Sequence, residues 1–63
     1  LDLDDNGLES VLPEIGTLQR LEFLSLLNNN IQMLPYEMGL LTNIKELRID
    51  ENTIKISIER KIL

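Results

Sequence analysis

The sequence predicts an α/β fold in which short parallel strands, each followed by a connecting segment, stack as about three turns of a solenoid. One set of apolar positions, which we call the frame, recurs at a constant spacing in the sequence. Each position in the copy that begins at Leu21 has a counterpart in the copy that begins at Ile44. The two complete copies of the frame are Leu21, Leu24, Leu26 and Ile31, then Ile44, Leu47, Ile49 and Ile54. A fixed period of about 20–29 residues indicates stacked repeats, because one unit cannot bury its apolar face alone.

The first copy of the frame is partial. Leu1 and Leu3 alternate with Asp2, which suits a strand with one buried face, and Leu8 takes the last apolar position. The predicted units span residues 1–20, 21–43 and 44–63 of one segment, 1–63. We expect the frame residues to point inward and to pack on their counterparts. Because the frame is cut at its start, a fragment of a longer solenoid is expected.

Short helical connections are predicted after the first two strands. Each holds a Leu-Pro pair followed by an apolar residue, a Gly and a Leu: Leu12, Pro13, Ile15, Gly16 and Leu18, then Leu34, Pro35, Met38, Gly39 and Leu41. Pro favours the first turn of a short helix or 3₁₀ segment, and Gly permits the chain to turn back.

The third connection differs, since no Leu-Pro pair or Gly follows the third frame. Ser57 is predicted to cap a short helix that carries Ile58 and Ile62 on one face. Arg60 and Lys61 are expected near the C-terminus of that helix, where positive charge is favourable.

Composition argues against several classes of protein. The chain has 63 residues, a net charge of −5, no Cys and no His. Cys-based zinc sites and disulfides are therefore excluded, and the commonest general base is missing. Negative charge argues against nucleic acid and anionic membranes, and no apolar run reaches the roughly 18 residues of a membrane span. No catalytic residues or cofactor are predicted, and the lack of Cys fits a cytoplasmic protein.

These motifs resemble leucine-rich repeats, and the connections are similar to those of the intracellular 23-residue class. The resemblance implies a curved right-handed superhelix, with parallel strands on the concave face and short helical, 3₁₀ or extended segments on the convex face. It also implies an internal column of Asn whose amides bond to backbone groups of the turns. That column would contain Asn6, Asn29 and Asn52.

The resemblance places the residues between the inward-facing ones on a concave binding face. The predicted protein-binding residues are Phe23, Ser25, Leu27, Asn28, Glu46, Arg48, Asp50, Glu51, Asp4 and Asp5. Phe23 and Leu27 are the predicted anchors, because large apolar residues at solvent-facing positions favour protein binding. An acidic ledge is expected to attract a partner with a basic surface. This ledge comprises Asp4, Asp5, Asp50 and Glu51.

Two functions from different classes remain open. The first is a non-enzymatic scaffold that binds a partner protein on its concave face, beside neighbouring repeats or domains of the same chain. The second is a regulatory repeat segment of a larger signalling enzyme, such as a kinase, cyclase or phosphatase. The frame residues are structural and do not distinguish the two.

A calcium loop is a weaker alternative at residues 2–13. Asp2, Asp4, Asn6 and Gly7 fit the first half of an EF-hand loop. The last position of such a loop needs a bidentate Glu and is Pro13 here. Because the apolar frame accounts for the same stretch without a metal, no metal site is predicted.

Overall fold

A computed structural model describes residues 1–59 of the chain. Its elements follow in the order η1 (Pro13–Thr17), β1 (Phe23–Ser25), η2 (Tyr36–Leu40), β2 (Glu46–Arg48) and α1 (Glu51–Glu59), where η denotes a 3₁₀-helix. Among these residues, no helix has both the length and the apolar character that crossing a membrane requires. The predicted positions of Ile62, Arg60 and Lys61 lie outside the described residues.

The sheet repeats with the period of the apolar frame. Strands β1 and β2 are parallel, with Leu24 opposite Leu47 and Ser25 opposite Arg48. Asp2 forms a parallel bridge with Ser25 on the other side of β1. The two members of each pair are separated in the sequence by one period of the frame. The spacing read from the sequence is therefore the register in which three segments of the chain lie side by side.

Burial along one column of the frame depends on having a neighbour on both sides. Leu24, in the middle segment, has no exposed surface, whereas Leu1 is 46% exposed and Leu47 is 37% exposed. The expectation that Leu47 is buried is therefore wrong. Leu47 lies on the last strand of the described residues, so only β1 covers it. The fully buried apolar core lies in the middle segment, residues 21–43, and consists of Leu24, Leu26, Ile31, Leu34 and Leu41.

The two 3₁₀-helices lie side by side behind the sheet. Pro13 opens η1 and Pro35 directly precedes η2, and both helices start from extended backbone. Gly16 makes their close approach possible. A Cβ on Gly16 would lie 2.8 Å from the carbonyl oxygen of Glu37 and 3.1 Å from Cδ1 of Leu40. Real Cβ atoms do not come within 2.8 Å of a carbonyl oxygen, so only Gly fits at this position without a shift of the backbone.

Helix α1 replaces a third turn of the kind seen in the first two units. It begins at Glu51, so Ser57 lies inside the helix and the expectation that Ser57 caps it is wrong. The Ser57 hydroxyl instead donates to the carbonyl of Thr53 at 2.8 Å. The Thr53 hydroxyl donates to the carbonyl of Ile31 at 2.8 Å, which ties the helix to the middle segment. Ile58 is mostly exposed.

We expect Gly16→Ala to lower the free energy of unfolding of the intact protein by about 1–3 kcal/mol, because the added methyl group overpacks the contact between η1 and η2. Gly39→Ala is the matched control, since Gly39 is the corresponding residue of η2 and a Cβ there meets nothing within 4 Å. Its effect should stay within about 0.5 kcal/mol. Denaturant titration measures both, and equal losses would contradict the packing role of Gly16.

Candidate functional site

The middle turn, residues 27–30, joins the strand face to the interior. Asn28 has a φ of +56°, and Asp5, which lies one period earlier in the sequence, has a φ of +59°. Asn and Asp tolerate this left-handed conformation better than other residues with a side chain. The next residue in the same column is Glu51, which starts α1 instead. The turn is therefore formed twice in the described chain and is replaced by a helix the third time.

Asn29 holds the middle turn to the first segment. Its side-chain amide nitrogen donates to the carbonyls of Leu3, Leu26 and Leu27 at 3.0–3.2 Å. Its side-chain oxygen accepts from the backbone amides of Asn6 and Leu8 at 3.1 and 2.9 Å. One side chain thus hydrogen-bonds to five backbone groups of two segments, with its two amide hydrogens shared among three carbonyls.

The other two predicted members of the Asn column lie in different surroundings. Asn52 is exposed in the first turn of α1, so its predicted internal position is wrong. The helix carries this residue away from the interior because no third turn forms. Asn6 is also exposed, and its side chain donates only locally, to the carbonyl of Asp4 at 3.1 Å.

Two carboxylates of the predicted acidic ledge support the middle turn. Asp4 Oδ1 accepts from the Leu27 amide and from the Ser25 hydroxyl, both at 2.7 Å. The Asp50 carboxylate accepts from the amides of Asn28 and Asn29 at 3.0 and 3.2 Å, from the opposite side. These oxygens are hydrogen-bonded within the fold, so the ledge is not a free row of four acids. Only Asp5 and Glu51 of the ledge are exposed.

The surroundings of Asp4 stabilise its charged form. The hydrogen bond from the Ser25 hydroxyl contributes most to lowering the pKa of Asp4 below its ordinary value. The backbone amide of Leu27 and the positive charge of Arg48 act in the same direction, and partial desolvation opposes them. A carboxylate that accepts two hydrogen bonds at this position therefore remains ionised at neutral pH.

Ser25 does not belong to an accessible face. Only 1% of its surface is exposed, because segments lie on both sides of it and its hydroxyl is directed at Asp4. The prediction that Ser25 contacts a partner is therefore wrong. Ser fits this position because its side chain is small enough for a buried central strand and its hydroxyl can donate to the Asp4 carboxylate.

Three predicted binding residues form a cluster across β1 and β2. The Arg48 guanidinium lies over the Phe23 ring, 5.9 Å from its centroid, in the range of a cation–π interaction. Arg48 Nε also pairs with Glu46 Oε2 at 3.1 Å. Phe23 is half-buried, while Arg48 and Glu46 are more than half exposed. We call these three residues the strand-face cluster, and it offers an aromatic ring with both signs of charge beside it.

A polar cleft continues the predicted face beyond the strands. It has a volume of about 460 Å³ and lies between the middle turn and the start of α1. Its lining includes the side chains Asn28, Asn30, Gln32, Asp50 and Asn52. Leu27, the second predicted anchor, is half-buried. Side-chain amides both donate and accept hydrogen bonds, so the cleft suits a polar ligand such as an extended peptide backbone.

Other large apolar side chains are exposed outside the predicted face. Tyr36 is 75% exposed, Leu12 67% and Leu40 53%, all at or beside the 3₁₀-helices. The exposure of two of them could have been predicted from the sequence, because Tyr36 and Leu40 lie outside the recurring apolar frame. Leu12 belongs to the Leu-Pro pair, which predicts that it lies in the connecting segment but does not predict its exposure.

The calcium alternative finds no donor set in the described part of the chain. Asp2 Oδ1 accepts from the backbone amide of Asp4 at 2.9 Å, and Asp4 Oδ1 is occupied as described above. Within residues 1–59, no group of three or more acidic side chains converges in a way that could hold a metal ion. A comparison of the sequence with models of known protein families finds no match.

Asn29→Ala is expected to lower the free energy of unfolding of the intact protein by more than about 2 kcal/mol, since several backbone groups lose their partner at about 1–3 kcal/mol each. Asn52→Ala is the matched control from the same column. It should change stability by less than about 0.5 kcal/mol, because Asn52 is exposed on a helix where Ala is favourable. Thermal and denaturant unfolding compare the two, and equal effects would contradict the role given to Asn29.

The lowered pKa of Asp4 makes stability depend on acid. Its carboxylate stabilises the folded state above the unfolded-state pKa of about 3.9, and this contribution is lost as pH falls through the lower folded-state pKa. We expect Asp4→Asn to be less stable than wild type at pH 7 and to lose less stability on acidification. Asp5→Asn controls for the loss of one charge. Parallel pH curves for wild type and Asp4→Asn would overturn the prediction.

Proposed function

We propose that this chain is a segment of a leucine-rich repeat type solenoid that binds a partner protein through its strand face, without catalysing a reaction. The observation that carries the proposal is the strand-face cluster of Phe23, Glu46 and Arg48 on two paired parallel strands. Aromatic residues, including Phe, and Arg are enriched in protein interfaces relative to the rest of the surface, and this cluster combines the two.

The rigid support of the cluster favours recognition of a partner. Phe23 and Arg48 project from neighbouring strands whose register is fixed, and Phe23 is followed in the chain by the buried Leu24 and Ser25. Side chains held by a scaffold lose less entropy on binding than side chains on a mobile loop. Leu27 extends the apolar part of the face toward the polar cleft.

The partner we propose carries a basic surface, which is attracted by only part of the predicted ledge together with Glu46. Asp4 and Asp50 accept hydrogen bonds within the fold. Glu46, Glu51 and Asp5 remain exposed, in a chain of net charge −5. Exposed charges of one sign act on the rate of encounter and on the choice of partner more than on affinity, so salt should slow association.

The hydrogen bonds of two serines favour a binding role over a catalytic one. The hydroxyls of Ser25 and Ser57 donate structural hydrogen bonds to Asp4 and to the carbonyl of Thr53. The sequence has no His or Cys to act as base or nucleophile. The absence of Cys and the intracellular class of the resembled repeats support a cytoplasmic location for the proposed scaffold.

A photo-crosslinking amino acid with a benzophenone side chain, placed at Phe23 of the intact protein, is expected to form discrete adducts with a partner in the source cell. The same group at Tyr36 is the matched control, since it also replaces an aromatic residue but lies on η2. Arg48→Ala in the Phe23-labelled protein should reduce the yield of adducts, because it removes the guanidinium that lies over the ring position.

The folded state of each labelled protein is checked by circular dichroism before crosslinking. Adducts of equal yield from both labelled positions, or adducts whose yield is unchanged by Arg48→Ala, would overturn the strand face as the binding surface. Adducts from Tyr36 alone would place binding on the 3₁₀-helices instead. Added salt should reduce the initial rate of adduct formation at Phe23 without changing the identity of the adduct.

A further inference from the structure

Asn6 and Gly7 form the one Asn-Gly pair in the sequence. Both residues are exposed, and Gly7 has a φ of +64° with nothing within 4 Å of the position a Cβ would take. An Asn followed by Gly is chemically labile, because no side chain on the following residue hinders attack by its backbone nitrogen on the Asn side chain. The surroundings of the pair leave room for that reaction.

The backbone amide of Gly7 is free where its neighbours are held. The amides of Asn6 and Leu8 both donate to the side-chain oxygen of Asn29. Within residues 1–59, the Gly7 amide between them donates no hydrogen bond. The Asn6 side-chain nitrogen, which would leave, is held by one exposed bond to the carbonyl of Asp4 at 3.1 Å. Loss of that single bond frees the group.

We propose that Asn6 is a site of spontaneous deamidation, with water as the co-reactant. The Gly7 nitrogen loses its proton to solvent base and attacks Cγ of Asn6, so that an N–Cγ bond forms. The Cγ–Nδ2 bond breaks and ammonia leaves after taking up a proton. Water then opens the cyclic imide at either carbonyl, giving aspartate or isoaspartate. No oxidant or reductant is needed.

The other asparagines are less suited to this reaction. They are followed by Asn, Ile or Thr, whose side chains crowd the attacking nitrogen: Asn28, Asn29, Asn30, Asn43 and Asn52. Asn29 is further protected by its five hydrogen bonds. Asn43 donates to the carbonyl of Gln19 at 2.6 Å, and Asn52 lies in α1. The reaction is therefore directed to one position.

The isoaspartate product would alter the contact between the first two segments. It inserts one methylene into the main chain between the amides of Asn6 and Leu8, which converge on the same oxygen of Asn29. The added length separates the two donors, so one of the bonds is lost. The new carboxylate also lies beside Asp4 and Asp5, where like charges repel. Modification at Asn6 thus loosens the hold of Asn29 on the first segment.

The test is incubation of the intact protein at mildly alkaline pH, followed by peptide mass spectrometry and enzymatic methylation of isoaspartate. We expect conversion at Asn6 while the other asparagines stay intact. Amide hydrogen exchange of residues 6 and 8 should become faster in the aged sample. Asn6→Gln should show neither change, because the longer side chain cyclises much more slowly. Asn6→Asp supplies the charge without the longer backbone and should retain most of the amide protection.

A sample unfolded in urea during incubation separates sequence from structure. Conversion of Asn6 in urea but not in the folded protein would overturn the proposal, since the fold would then protect the site. Conversion spread evenly over the asparagines of the folded protein would also overturn it. Conversion at Asn6 with unchanged exchange at residues 6 and 8 would overturn the proposed effect on the contact with Asn29.

Discussion

The side-chain amide of Asn29 is the interaction on which the order of the described chain depends. A parallel arrangement requires the chain to leave each strand, turn and run back behind the sheet, and the turn exposes backbone groups that face the interior. Asn29 satisfies five such groups at once, three by donating and two by accepting. A short amide side chain offers two donor hydrogens and a separate acceptor oxygen, whereas a hydroxyl offers a single donor on the atom that also accepts. The two segments that it joins therefore turn together, which holds the first segment beside β1.

Burial follows from the same stacking. In the column of Leu1, Leu24 and Leu47, the same residue type passes from half-exposed to fully buried and back to partly exposed as neighbours are gained and lost. The apolar frame alone does not bury a residue, since the area removed from water depends on the segments on either side. The middle segment accordingly contributes most of the core, and Phe23 precedes two of its most buried residues, Leu24 and Ser25.

The register of the sheet could be predicted from the sequence, because residues one period of the apolar frame apart are paired on neighbouring strands. Asp2 pairs with Ser25 and Ser25 pairs with Arg48 in this way. The hydrogen-bond partners of Asp4 and Asp50 could not be predicted from the sequence. A carboxylate in a solvent-facing column is predicted to lie on the surface. Its neighbours in the sequence do not indicate that a turn of another segment donates backbone amides to it. The replacement of the third turn did leave a trace. Asp5 and Asn28 tolerate a left-handed backbone, whereas Glu51 in the same column does not favour it and begins a helix.

The division between structural and exposed residues limits where recognition can evolve on this face. Asp4, Asp50 and Asn29 are hydrogen-bonded to backbone groups of the turn, and Ser25 donates to the Asp4 carboxylate, so a change in any of them to suit a partner would disturb the turn. Glu46 and Arg48 form an exposed ion pair and Arg48 lies over the Phe23 ring, and these two contacts contribute little to folding. Under the proposed scaffold function, these three positions are free to vary while the framework around them is held constant. A repeat of fixed shape can therefore present different binding surfaces, and specificity would be encoded in side chains that the fold does not need.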